Sequence, residues 1–419
     1  MARTQRLVVG LLDGFGSEYL ARSHMPSLKA MARFGLAAEV QAVFPTVTNV
    51  NNVSICCGAW PEAHGISANS YFDPISGRAV YMNAAALVQA PTLFERAAAA
   101  GVRSALLTCK RKTVELLHRG ASLVVAAEAP TPELVERYGP PGDIYSARIN
   151  HWLWGVAADL LRTQPDLGVL YVHTTDYPMH RWAPDAQASL DHLARLDELL
   201  GEARAAAPDA AFLFTADHGM NAKTRCWDLA RVCQEAGVPL RFALSPERDY
   251  YVVHHRNFTG CAWLWLGSPG DEVRVRELVG GLAGVPLRFA LSPERDYYIV
   301  HHRNLTGCAW LWLHSPGDEL RVREAVAGLA GVQGILGRAE AAARFHQPPD
   351  RIGDLTVLGD ADTMFGELEQ AGEALVGYRA HGSLHESAVP LIVFGAAYAP
   401  PPDYFQTNLD LARWAFPAG

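Results

Sequence analysis

What this sequence lacks narrows the field first. Its seven cysteines, at 56, 57, 109, 226, 233, 261 and 308, include no CxxC pair and are odd in number. That argues against a zinc ribbon and a fully paired disulfide framework, and it fits reduced, mostly buried thiols. There is no excess of positive charge: 36 Lys and Arg stand against 44 Asp and Glu, a net charge of -8. A basic footprint for nucleic acid or for an anionic membrane surface is therefore missing. Long apolar runs are missing too. The N-terminal RLVVGLLDG is too short for a signal peptide or a membrane span, and it stops at Asp13. The expectation is a cytoplasmic protein with neither nucleic acid nor membrane as a partner.

What is present is a chain of 419 residues, 49% apolar and 19% charged. That is long enough for a large α/β core with an inserted subdomain. Apolar β-rich runs alternate with helical patterns. RLVVGLLDG, VRSALLTCK, PDLGVLYVHTTD, PDAAFLFTADHG and ESAVPLIVFGAA read as strands. MPSLKAMARFG, APTLFERAAAAG, residues 145–163 and DAQASLDHLARLDELLGEARAAA read as helices. Alternation of this kind predicts a mostly parallel sheet covered on both faces, a three-layer α/β sandwich.

Polar residues gather in one apolar stretch. Phe44 to Asp73 carries Thr46, Thr48, Asn49, Asn51, Asn52 and Asn69 between apolar flanks. Hydroxyls and amides at that density are costly to bury unless each is bonded or holds a ligand. NVSICCGAW reads as the first turns of a packed helix. A nucleophile at a helix N-terminus sits in a positive field that suits an anion. Thr48 is the candidate nucleophile, and a polar loop with an Asx-type cap is the competing account of the stretch alone.

Charges fall at the ends of strands. Three apolar strands end in aspartates, Asp13, Asp176 and Asp217. His180 follows Asp176 by four residues, His218 follows Asp217 directly, and His381 opens HGSLHE before the last strand. Ligands of open parallel sheets bind at the carboxyl ends of strands. Three carboxylates at one sheet edge repel unless cations lie between them, and mixed Asp and His ligands suit divalent ions.

This set of residues resembles the alkaline phosphatase superfamily, and within it the phosphodiesterase and nucleotide pyrophosphatase branch. FPTVTNVNN, GISANSYFDP, TTDYPMH, ADHGMNAK and HGSLHE are most similar to the phosphonoacetate hydrolases. The resemblance covers most of the chain outside residues 238–331. It implies an alkaline-phosphatase-like fold and two divalent metal ions, zinc first, with manganese or iron as alternatives. One ion would be held by Asp176, His180 and His381, the other by Asp13, Asp217, His218 and the Thr48 oxygen. Asn69 would donate to a phosphoryl oxygen. Lys110 and Lys112 in LLTCKRKTVELL would hold a substrate carboxylate, and at period two after a strand they would share a side. His381 is preferred to His385 because it opens the HGS motif. Trp182 departs from the pattern, which has a histidine there.

An internal duplication sits between these motifs. Val238 to Gly284 recurs as Val285 to Gly331 with differences at Val252/Ile299, Phe258/Leu305, Gly267/His314, Val273/Leu320, Leu278/Ala325 and Gly280/Ala327. Each copy reads as three strands (LRFAL, DYYVVHH, CAWLWL) and one helix. Two copies are too few for a solenoid. The adjacent histidines His254/His255 and His301/His302 alternate in direction along a strand, so a pair cannot grip one ion. The expected organisation is a core over 1–230, an α+β cap over 231–334 with the duplicated units 238–284 and 285–331, and the rest of the core over 335–419. The expected function is hydrolysis of the C–P bond of phosphonoacetate through a phosphothreonine. A phosphodiesterase or nucleotide pyrophosphatase, or a catalytically impaired phosphonate-binding homologue, is the alternative. The substrate is a small anionic phosphonate or phosphate ester, and a homodimer is compatible with the sequence.

Overall fold

The computed structural model describes residues 5–246, 263–266, 287–291, 305–368 and 370–415. Seven strands form the central sheet, in the order Leu36–Gln41, Ala388–Phe394, Ala211–Thr215, Leu7–Leu11, Leu167–His173, Arg103–Thr108 and Leu123–Ala126. The last five run parallel, and Ala388–Phe394 lies antiparallel to both of its neighbours. This is the mostly parallel sheet that the alternating pattern predicts.

Register fixes which side chains share a face. Val9 lies opposite Tyr171, whose ring meets Phe94 of the Leu93–Ala99 helix edge-on. One residue on, Gly10 lies opposite Phe214, and that ring faces Trp154 of the Ala147–Thr163 helix. Successive strand residues point to opposite faces, so helices cover both sides and three layers result. Strands buried in this way are nearly continuous apolar runs, which is why Val8, Val9, Leu11, Leu170 and Leu213 are all buried.

A second sheet of four antiparallel strands runs Phe242–Leu244, Cys308–Trp312, Leu355–Gly359 and Val332–Gly337. It packs on the Leu229–Glu235 and Glu319–Ala327 helices through Leu229, Leu311, Val322, Val326 and Val357. Phe242 and Trp312 also close on Phe72, 4.5 and 5.0 Å between ring centres. The chain divides into two compact units. One holds residues 1–248 and 304–419, the other residues 249–303. Within the second unit Trp263–Leu266 pairs antiparallel with Leu287–Leu291. The strand expected at DYYVVHH in each copy, the helix expected at the end of copy one, and both histidine pairs, His254/His255 and His301/His302, lie outside the described residues. No helix among the described residues is long and apolar enough to cross a membrane.

Gly10 illustrates how tightly the layers close. A Cβ there would stand 2.5 Å from the Phe214 ring and 3.0 Å from Trp154. Overpacking of this kind typically costs about 1–3 kcal/mol. Gly10→Val should lower stability by at least that amount, measured as a shift in the urea midpoint at unchanged slope.

Candidate metal centre

Sheet order explains why three aspartates meet. The strands that precede Asp13, Asp176 and Asp217 are adjacent, with Leu7–Leu11 between the other two. The carboxylates therefore arrive at one edge, and all three are buried. Two groups form there. Asp176, His180 and His381 place one ligand atom each within 4.8 Å of one another, and Asp13, Asp217 and His218 do the same. The rings of His218 and His381 stack at 3.6 Å, so the two groups are neighbours.

The histidine hydrogen bonds decide what these groups suit. Nδ1 of His180 lies 2.7 Å from the Arg379 carbonyl. Nδ1 of His381 lies 2.7 Å from the Thr46 carbonyl, and Nδ1 of His218 is 2.9 Å from the Gly219 carbonyl. A carbonyl only accepts, so each Nδ1 carries a proton and each Nε2 is the ring atom left to face the site. All three Nε2 atoms face carboxylate: 2.9 Å from His180 and 3.7 Å from His381 to Asp176, and 3.5 Å from His218 to Asp13 and Asp217. Imidazoles fixed through Nδ1 to a backbone carbonyl, with Nε2 turned towards carboxylates, make a metal-ligand arrangement once any proton on Nε2 gives way to a cation.

Electrostatics agree. Burial and the facing Asp13 push the Asp217 carboxyl well above the usual carboxylate range. Burial pushes Asp176 up as well, but the Lys110 ammonium and His180 outweigh it and hold Asp176 well below that range. Burial, with His218 and His180 nearby, keeps His381 neutral. Asp13 Oδ1, Asp217 Oδ2 and His218 Nε2 are buried and make no hydrogen bond. Such atoms are costly without a cation, and the residues present fit two divalent ions.

The Thr48 stretch is a helix, Thr48–Cys57, with all ten residues buried and Gly58 closing it in the left-handed region. Its amides are used up one by one. Asn51 takes the Val43 N–H and donates to the carbonyls of Val43 and Val47. Asn49 donates to the Met82 carbonyl, while its own N–H bonds the Asn69 side-chain oxygen at 2.9 Å. Nδ2 of Asn69 is left buried with no hydrogen bond. Thr48 itself begins the helix, two residues from the Thr46 carbonyl that His381 holds.

The two lysines stand apart from the expected strand pair. The strand ends at Thr108, Lys110 is the N-cap of the Arg111–Leu117 helix, and Lys112 lies in its first turn. Period two therefore does not apply. Lys110 Nζ sits 2.7 Å from Asp13 and 3.1 Å from Asp176, one carboxylate from each group. Burial opposes its charge, but these two carboxylates outweigh burial and raise its pKa. Lys112 Nζ lies 5.3 Å from the centre of the Tyr81 ring. His385 bonds Gln333 away from both groups.

Several supporting residues carried little sequence signal. His173 donates from Nε2 to Asp13 at 3.0 Å, with Thr108 at its other nitrogen. Glu386 and Lys223 form a fully buried pair at 2.8 Å. Glu386 also accepts from the Ser383 N–H and hydroxyl, which fixes the loop after His381. Arg379 donates to the carbonyls of Met179 and Met220 and to the Tyr19 hydroxyl, tying together the elements around His180. The available clue was proximity in the chain: His173 lies three residues before Asp176, and Glu386 five residues after His381.

A family model for type I phosphodiesterase / nucleotide pyrophosphatase matches residues 7–383. The venom phosphodiesterase of Macrovipera lebetinus is 27% identical over 226 residues, which is 51% of this chain and 25% of that protein. The chain spans less than half the length of the curated relatives it matches, from 8% to 44% for the first three. Among solved structures, phosphonoacetate hydrolase from Sinorhizobium meliloti 1021 in complex with phosphonoformate is 27% identical, with a TM-score of 0.76 over 98% of this chain and 95% of that one. Murine ectonucleotide pyrophosphatase / phosphodiesterase 5 shares the fold, at 15% identity, a TM-score of 0.64, and 98% and 94% coverage.

The Asp13–Asp217 repulsion gives a two-sided prediction. A carboxyl with a raised folded pKa loses stability as pH climbs from its unfolded pKa to its folded one, so at pH 7 the cost is present. In chelator-treated protein, Asp217→Asn should raise Tm relative to the parent. In metal-supplied protein, elemental analysis should give two divalent ions per chain for the parent and one for Asp217→Asn.

Proposed function

The chain belongs to the type I phosphodiesterase / nucleotide pyrophosphatase family, a family of hydrolases, and from that premise we propose that it hydrolyses the C–P bond of phosphonoacetate. The observation that carries this reading is the ammonium of Lys110, buried between Asp13 and Asp176, with Lys112 two residues on in the first turn of the helix that Lys110 caps. Fixed positive charge of that kind suits a substrate with a carboxylate in addition to its phosphoryl oxygens. The likeness to phosphonoacetate hydrolase along nearly the whole chain supports it. The family itself supports a second reading, hydrolysis of a phosphodiester or nucleotide, by the same nucleophile and ligands.

In the proposed reaction Thr48 attacks phosphorus. Its place at the start of a buried helix puts the developing charge at the positive end of the helix dipole. Asn69 Nδ2 donates to a phosphoryl oxygen, which accounts for its lack of a protein partner. The P–C bond breaks, and its electron pair passes to the methylene carbon and is delocalised into the carboxylate. Lys110 and Lys112 stabilise that charge, and a proton from solvent completes acetate. Water then cleaves the phosphothreonine ester to give phosphate and free Thr48. Two divalent ions, held by Asp176, His180 and His381 and by Asp13, Asp217, His218 and Thr48, would lower the pKa of the hydroxyl and of water and neutralise the phosphonate.

Two measurements test this. Thr48→Ala should abolish turnover with most of the metal retained, because other ligands remain. Lys112→Met should slow phosphonoacetate hydrolysis about a hundredfold, as loss of a charge-assisted contact does. Hydrolysis of an aryl phosphate ester without a carboxylate should change little. Equal losses on both substrates would transfer the argument to the phosphodiesterase reading.

A further inference from the structure

Two nearly identical copies compete for one place in the cap sheet, and the structure resolves the competition by splitting both. The four-stranded sheet takes its Phe242–Leu244 strand from copy one and its Cys308–Trp312 strand from copy two. The remaining halves pair with each other. Phe242 lies opposite Trp312, Ala243 opposite Leu311, and Leu244 opposite Trp310. Their repeat counterparts match in the same order: Phe289 opposite Trp265, Ala290 opposite Leu264, and Leu291 opposite Trp263. One register is thus satisfied twice. It is satisfied once in the unit that holds the metal centre and once in the unit of residues 249–303.

The split decides which copy touches the catalytic machinery. From copy one, the Pro246 carbonyl accepts the Asn69 N–H at 3.1 Å. From copy two, the Gly307 N–H donates to the His381 carbonyl at 3.1 Å, and the Thr306 hydroxyl donates to the same oxygen at 3.3 Å. Thr306 is itself fixed by exchanging both backbone hydrogen bonds with Phe365, at 3.1 and 2.7 Å. The two loops touch at glycines. A Cβ on Gly307 would meet the Ser383 Cβ at 2.5 Å, and one on Gly382, at φ +105°, would meet the Thr306 hydroxyl oxygen at 1.7 Å. His381 is therefore held at both ends, by its ring on Thr46 and by its carbonyl on copy two.

We propose that Thr306 is a positioning residue for the metal ligand His381, whose carbonyl is filled by the Thr306 hydroxyl and the Gly307 N–H of copy two, so that the corresponding threonine of copy one, Thr259, serves as the sequence-matched control. The duplication has divided the work of one ancestral unit. The first strand and the Asn69 support come from copy one, and the His381 support comes from copy two. The inference rests on His381 being a metal ligand.

The repeat supplies its own control. In the full chain, Thr306→Val, Thr306→Ala, Thr306→Ser, Thr259→Val and His381→Ala are loaded with Co2+. Affinity is read by competition with a chromophoric chelator, coordination by the visible spectrum, and folding by Tm. Thr306→Val and Thr306→Ala should weaken one of the two Co2+ ions about tenfold or more, as loss of a ligand's supporting partner does. Thr306→Ser should restore the affinity, and Thr259→Val should match the parent in affinity and spectrum. If Thr306→Val fails to fold while Thr259→Val folds normally, the asymmetry between copies stands, and Thr306→Ala carries the metal measurement. Equal weakening by the Thr306 and Thr259 variants, or no change with any Thr306 variant, would overturn the proposal. A Co2+ content unchanged by His381→Ala would instead overturn the ligand assignment, a separate failure.

Discussion

Three buried carboxylates at the ends of three adjacent strands set the terms for everything around them. Asp13 and Asp217 face each other, and Asp176 stands one strand away, all beyond the reach of bulk water. Like charges in a dry site repel too strongly to remain uncompensated. The chain answers with Lys110 on Asp13 and Asp176 and with His173 on Asp13. Three histidines, each pinned by Nδ1 to a backbone carbonyl, turn Nε2 towards the remaining sides. That combination is poor for a folded protein on its own terms and well suited to divalent cations.

Holding such a site requires rigid loops, and the loops are held by one another. Thr46 is the junction. Its carbonyl accepts from His381, its hydroxyl donates to the Ser383 carbonyl, and that same hydroxyl oxygen accepts the Gly382 N–H. The segment that presents the proposed nucleophile and the segment that presents the candidate ligand His381 are therefore joined directly. The buried Lys223–Glu386 pair supports the same loop from behind. Burial raises Glu386, but the Lys223 ammonium and the Ser383 bonds outweigh it and keep the carboxyl below its usual range. The stability that this pair contributes is lost as pH falls through the depressed Glu386 pKa.

Much of the site could be read from the sequence because its ligands sit at strand ends, where apolar runs stop abruptly at Asp13, Asp176 and Asp217. The sheet was legible for the same reason: buried parallel strands leave continuous apolar runs. Other features depended on contacts distant in the chain. The period-two expectation for Lys110 and Lys112 gave way to a helix that starts at Arg111, two residues beyond Cys109, with Lys110 at its N-cap. The roles of Thr46, His173 and Glu386 lie in hydrogen bonds to partners distant in the chain, His381, Asp13 and Lys223, which no local pattern marks. The duplication was plain to see, but pairing between non-equivalent halves was not, since identical strands offer identical hydrogen-bonding and packing partners.

The central claim is that phosphorus passes through Thr48. Metal-loaded protein can be quenched in acid during turnover of phosphonoacetate, digested, and its peptides examined by mass spectrometry. The account predicts a phosphoryl group on Thr48, present only with substrate and lost when turnover is allowed to finish. A phosphoryl group on another residue, or turnover at full rate with Thr48 unmodified at every quench time and replaced by Ala without loss, would contradict it.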